Sequence, residues 1–260
     1  MSLPVLHIKL PRPVTAIHQI EITSRCNLRC VYCPSSQMMH ATALRAEDPG
    51  TVSPWRPAVD MAEDVFEAAL SLARFFVRQG TQRELNLAGI GESTLHPQFP
   101  AWLRAARTFL GDGVRLIFAT NGLIVTQEIL GAVEATGTRV WVSLHRLEKA
   151  GLAVEAYRKI GALDGVSADP SINAYDWAGQ VEWFNSPRAH PLACQWIREG
   201  KAFVRADASI ATCCVDACGD GTIAGDTRRI GDANLLGIQP YNLCRTCIQE
   251  IAVHGHNQRP

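Results

Sequence analysis

Cys26, Cys30 and Cys33 lie in the run Ser-Arg-Cys26-Asn-Leu-Arg-Cys30-Val-Tyr32-Cys33-Pro, directly after an alternating apolar stretch that ends at Thr23. Three thiolates on one short loop can hold three irons of a [4Fe–4S] cube. No fourth cysteine stands at local spacing, so the fourth iron would be open for a small molecule to coordinate and react. Two blander uses of these residues compete. A zinc knuckle pairs two short Cys/His units and closes with four ligands. A disulfide framework belongs to short secreted chains. This chain has 260 residues, and its start shows neither the basic stretch nor the long apolar run of a signal peptide.

The spacing, with an aromatic residue just before the last cysteine, resembles the radical S-adenosylmethionine (radical SAM) superfamily. The resemblance implies that the open iron chelates the amino and carboxylate groups of SAM. It also implies a 5′-deoxyadenosyl radical that takes a hydrogen atom from the substrate. Tyr32 resembles the aromatic position whose backbone contacts adenine. The segment Ala88-Gly89-Ile90-Gly91-Glu92 looks like the family's Gly-Gly-Glu element, whose backbone binds the methionine amino group, here with Ile90 between the glycines. Gly89 and Gly91 let a backbone approach a ligand closely, although an ordinary strand-to-loop turn would use glycine too. Asn121, in Thr120-Asn121-Gly122, and Ser143, in Ser143-Leu-His145-Arg146, resemble by position the family's contacts to the SAM ribose and carboxylate. Asn121 also suits the turn itself, and the Ser143 hydroxyl can donate to a ribose or carboxylate oxygen.

A second set, Cys194, Cys213, Cys214, Cys218, Cys244 and Cys247, fills the C-terminal third. A hairpin of Ala202–Arg205 and Ser209–Thr212, turning at Ala206-Asp207-Ala208, would bring Cys194 towards Cys213. The pair Cys244 and Cys247 would then complete four ligands for one electron-transfer cluster. The arrangement is similar to the auxiliary-cluster region of SPASM and twitch radical SAM enzymes, closer to the shorter twitch type with one auxiliary [4Fe–4S] cluster. A structural zinc site could use the same four thiolates. Cys214 and Cys218 are surplus. They read either as small core hydrophobes or as hydrogen-atom donors or a replacement ligand.

These residues need strand ends to carry them. Strand and helix signals alternate: a strand at Gln19–Thr23; a helix from Asp60 with Glu63 in capping-box position; a strand at Glu84–Ala88; a helix at Pro100–Leu110; a strand at Val114–Ala119; a helix at Gln127–Ala135; a strand at Arg139–Leu144; a helix at Glu148–Ile160. A short strand follows near Val166–Ala174. Residues 34–59, with Pro34, Pro49, Pro54 and Pro57, read as a long loop and a candidate lid. The alternation predicts an α/β fold with a parallel sheet. The family resemblance makes it a partial (β/α) barrel of about five or six strands with a small C-terminal auxiliary-cluster module. The expected division is 1–175 for the barrel and 176–260 for the module.

Twenty-five basic residues balance twenty-five acidic ones, which gives nucleic acid or an anionic membrane surface no electrostatic support. No apolar run is long enough to span a bilayer. Nine cysteines in a chain without export signals fit metal or redox chemistry in the cytoplasm. An auxiliary cluster is useful where a substrate radical must discard an electron. The expected reaction is therefore oxidation of a secondary alcohol in a small sugar- or cyclitol-type natural-product intermediate, similar to the twitch-type aminocyclitol dehydrogenases. An external flavodoxin- or ferredoxin-type reductant would supply electrons. Asp176, Glu182 and His190 lie in a polar, aromatic stretch joining the two cysteine sets and are candidate bases. The rivals are a peptide-modifying enzyme, an epimerase with Cys214 or Cys218 as hydrogen donor, and an iron–sulfur electron carrier.

Overall fold

Strands here are short and buried on the face that meets the helices, and each parallel step is bridged by a helix with one apolar stripe. The computed structural model describes residues 11–31, 33–167, 194–231, 233, 236–241 and 244. β1 (Arg12–Pro13) pairs with β10 (Gly237–Ile238) in a two-stranded sheet. The main sheet contains β2 (Ala16–Ile20), β3 (Glu84–Asn86), β4 (Arg115–Thr120), β5 (Arg139–Ser143), β6 (Leu163–Ser167), β7 (Lys201–Val204), β8 (Ile210–Ala211) and β9 (Thr222–Ala224). Its order is β6-β5-β4-β3-β2-β7-β8-β9. β2 to β7 run parallel to one another, whereas β8 is antiparallel to β7 and β9 to β8. The sheet does not close, so it is a partial barrel, as the sequence predicts.

α2 (Glu63–Arg78) buries Val65, Phe66, Ala69, Leu70, Ala73 and Phe76, and α3 (Phe99–Leu110) buries Phe99, Trp102, Leu103, Ala106 and Leu110. Phe66 and Trp102 stack with centroids 4.1 Å apart, and Phe99 meets Phe118 of β4 edge-on at 4.9 Å. Each fully buried Leu, Ile or Phe at this layer contributes about 1.5–3 kcal/mol. α4 (Gln127–Thr136) starts at Thr126, whose side chain accepts from Ile129 N–H, and ends at Gly137 in the left-handed conformation. α5 (Leu147–Lys159) covers β5 and β6 through Ala150, Ala153, Val154 and Tyr157.

Two local expectations are corrected. Residues 34–47 form a helix, α1 (Pro34–Glu47), not a loop. Pro34 sits in its first turn, where the missing N–H is no loss and the fixed φ suits a helix start. The segment before α2 is not a capping box, because the N-cap position is Ala62 with no side-chain bond. Asp60 instead accepts from Thr23 Oγ1 (2.7 Å) and Arg25 (2.8 Å), which ties the segment before α2 to the cysteine loop. The predicted hairpin forms: Phe203 pairs with Ala211 and Val204 with Ile210. β7 also runs parallel beside β2, so the cysteine-rich part shares the barrel's sheet. No helix among the described residues is long and apolar enough to cross a membrane.

Candidate active site at the strand ends

The C-terminal ends of β2 to β5 open into one cavity of about 360 Å³. Cys26, Cys30 and Cys33 line it together with Gly89, Gly91, Glu92, Asn121 and Ser143. In parallel α/β barrels this rim is where loops gather reactive groups. Tyr32, Cys247, Asp176, Glu182 and His190 lie outside the described residues.

The cysteine loop is built by hydrogen bonds. Cys33 N–H donates to Cys30 O at 3.0 Å, and Ser36 Oγ donates to the same carbonyl at 3.2 Å. Cys33 is the N-cap of α1, where the helix dipole favours a negative charge. The Cys26 sulfur accepts from Leu28 N–H at 3.4 Å and from Asn121 Nδ2 at 3.9 Å. Burial pushes the Cys26 thiol up, and it pushes Cys33 up to about 12, with the neighbouring cysteines adding to both. Iron must therefore displace protons to bind here. Among the described residues no three His, Cys, Asp or Glu side chains close on a single point as ligands of one ion would. The donor set is three soft thiolates at the mouth of a cavity, with N–H groups aimed at one sulfur. That chemistry fits an iron–sulfur cluster with one iron facing the cavity.

The two glycines do more than face the cavity. A Cβ at Gly89 would overlap the Glu21 side chain, lying 2.7 Å from its Oε2, and one at Gly91 would overlap the backbone of Thr23 and lie 2.6 Å from Arg25 O. Glycine is required for the segment to lie against the end of β2. Glu92 is 3% exposed. Its Oε1 accepts from Thr94 Oγ1 (2.7 Å) and Thr120 Oγ1 (2.8 Å), and its Oε2 accepts from Asn121 N–H (2.7 Å). Burial pushes this carboxyl up, and these donors oppose that. Asn121 accepts from Leu123 N–H through Oδ1 (3.0 Å) and donates to Asn27 Oδ1 (2.7 Å). It thus serves the turn and clasps the cysteine loop at once.

A buried ion pair that sequence reasoning missed sits beside this rim. Arg56, 6% exposed, reaches Glu21, 3% exposed, at 3.3 Å and Asp207 at 3.3 Å. Burial pulls the Arg56 guanidinium down, but Glu21 and Asp207 outweigh it and hold the pKa up. Glu21 also accepts from Ile90 N–H (3.1 Å), and Arg56 N–H donates to Ala217 O (3.1 Å). Arg205 makes a second buried pair with Asp216. His145 and Trp141 also line the cavity.

In the second set, Cys194 precedes α6 (Gln195–Glu199), and Cys213 follows β8. Burial pushes Cys244 up to about 11, with Cys213 and Cys194 raising it further. Tyr241 N–H points at the Cys244 sulfur at 3.5 Å. Cys213 is raised first by its hydrogen bond to Cys214, then by burial. Cys218 stands apart: after burial, its pKa is set by Asp216, Asp220 and Arg56.

The profile of the Radical SAM superfamily matches residues 20–185. The chain belongs to the radical SAM superfamily. Membership brings a [4Fe–4S] cluster and SAM as cofactors. Among curated relatives, the GTP 3′,8-cyclase of Corynebacterium glutamicum is 32% identical over 133 residues, covering 50% of this chain and 31% of that protein. The tungsten-containing aldehyde ferredoxin oxidoreductase cofactor-modifying protein of Pyrococcus furiosus is 31% identical over 118 residues, 45% of this chain and 27% of that one. The alignments thus span about a third or less of these relatives' length. Among solved structures, BtrN in complex with AdoMet and 2-DOIA superposes with TM-score 0.64 at 16% identity, covering 94% of this chain and 89% of BtrN. SuiB of Streptococcus suis bound to precursor peptide SuiA gives 0.55 at 9% identity, covering 92% and 67%. At these identities the likeness is one of fold.

Proposed function

We propose that this radical SAM enzyme oxidises a secondary alcohol of a small sugar- or cyclitol-type natural-product intermediate. The observation that carries the reading is the convergence of Cys26, Cys30 and Cys33 with the ends of β3 to β5 on one cavity. When bound, SAM and its cluster supply a 5′-deoxyadenosyl radical that takes a substrate hydrogen atom, and a second cluster supplies an acceptor for the electron left behind. Cys26, Cys30 and Cys33 would hold the first cluster. Tyr32, Gly89, Gly91, Glu92, Asn121 and Ser143 would hold SAM, with Ser143 offering its hydroxyl at the strand end. Cys194, Cys213 and Cys244, with Cys247, would hold the auxiliary cluster; that Cys213 raises the thiols of both Cys194 and Cys244 supports this. Asp176, Glu182 or His190 would take the alcohol proton. The division into a barrel, 1–175, and an auxiliary module, 176–260, belongs to this reading, as does a cytoplasmic setting with a flavodoxin- or ferredoxin-type reductant.

A second reading has one observation in its favour. Cys218 is flanked by Ala217 and Gly219, both against Arg56, and is not among the thiols that act on Cys244, which leaves it available as a hydrogen donor in an epimerase or a peptide-modifying enzyme. Anaerobic incubation of the reconstituted protein with SAM and dithionite tests both. Release of 5′-deoxyadenosine is expected; a plain electron carrier would release none. A ketone product supports oxidation. Solvent deuterium at a substrate carbon, lost on Cys218→Ala, supports the donor reading and sinks the first.

A further inference from the structure

Trp141 is a large apolar side chain that the cavity leaves uncovered. It is 46% exposed, whereas its strand neighbours Val140 and Val142 are fully buried under the helices. It therefore faces the concave side of the sheet, where it lines the cavity with the three cysteines and Ser143. Gly165 stands opposite it on β6. A Cβ there would overlap the six-membered part of the indole, lying 2.5 Å from Cε3 and 2.8 Å from Cη2. One face of that ring is thus seated on the Gly165 backbone, and the other is open. On β4 the partner in register is Ala119, again small.

We propose that Trp141 is the stacking platform for a ring-shaped substrate: a small cyclic polyol or aminocyclitol lays its C–H face on the indole. This rests on the oxidation reading above and adds the residue that selects a ring over a linear polyol. The other flat ring in such a site is the adenine of SAM. Ligand-observed saturation-transfer NMR on the cluster-loaded protein with SAM distinguishes them, using scyllo-inosamine as the cyclic probe and sorbitol as the linear one. The ring C–H protons of scyllo-inosamine receive saturation in the wild type and in Trp141→Phe, which keeps a ring and controls for folding. In Trp141→Ala its Kd rises about tenfold, while sorbitol binds weakly to all three. The proposal is overturned if wild type gives scyllo-inosamine no saturation, if Trp141→Ala binds it unchanged, or if the loss falls on the adenine protons instead. Binding is read without turnover, so absent 5′-deoxyadenosine sinks the oxidation reading, and an unchanged Kd sinks the platform.

Discussion

Glu92 spends both carboxylate oxygens on the chain itself, drawing the ends of β3 and β4 together under the cavity. Glu92→Gln would turn an NH₂ group towards the Asn121 N–H or the Thr94 N–H, leaving a buried donor without an acceptor. We expect a loss of about 1–3 kcal/mol, read as a lower midpoint in urea unfolding of the apoprotein; an unchanged midpoint would show that the network is dispensable. Asn121 acts on the cluster side. Asn121→Ala removes the clasp on Asn27 and the contact to the Cys26 sulfur. The variant should retain iron after reconstitution but lose it faster in air, and the EPR signal of the reduced protein should shift. Identical EPR and decay would sink the clasp.

Arg56 leads from the segment after α1 to the end of β2 and to the turn after β7. Arg56→Met would leave Glu21 charged and buried, a loss of about 3–5 kcal/mol. Adding Glu21→Gln should restore part of it, because the uncompensated charge is gone; a double variant no more stable than Arg56→Met would contradict this. Such a pair was not legible in the sequence, since Arg56 and Glu21 are far apart in the chain and neither sits in a motif. The cysteine triad and Gly89 to Glu92 were legible, because their chemistry is written in local spacing. α2 to α5 were legible because each carries a helical apolar period. α1 was not, because Pro34 reads as a breaker unless it is seen as a first-turn residue. Trp141 was hidden for another reason. Alternation marks it as opposite Val140 and Val142, but not that the concave face is open.

At the scale of the whole molecule, β7 and β2 are adjacent in one sheet. The apoprotein should therefore unfold in one cooperative transition by calorimetry; two resolved transitions would separate the module from the barrel. That transition has a predictable pH dependence. His18 of β2 packs on Trp196 and Phe203, and burial lowers its pKa from 6.5 to about 4, with Lys201 assisting. Above pH 6.5 it is neutral folded or unfolded, and its contribution is complete. As pH falls, the unfolded chain takes the proton first, so stability declines between about 6.5 and 4 and then levels. The span is about 3 kcal/mol. His18→Phe should flatten this part of the profile.

The junction of β2 with β7 fixes more than stability. β2 leads into the loop of Cys26, Cys30 and Cys33; β7 leads, through a two-strand turn, to Cys213. Backbone hydrogen bonds between neighbouring strands therefore hold the two sulfur-rich loops at a constant separation. With the proposed second cluster in place, a tunnelling electron would meet the same gap on every turnover, with no swinging arm to wait for.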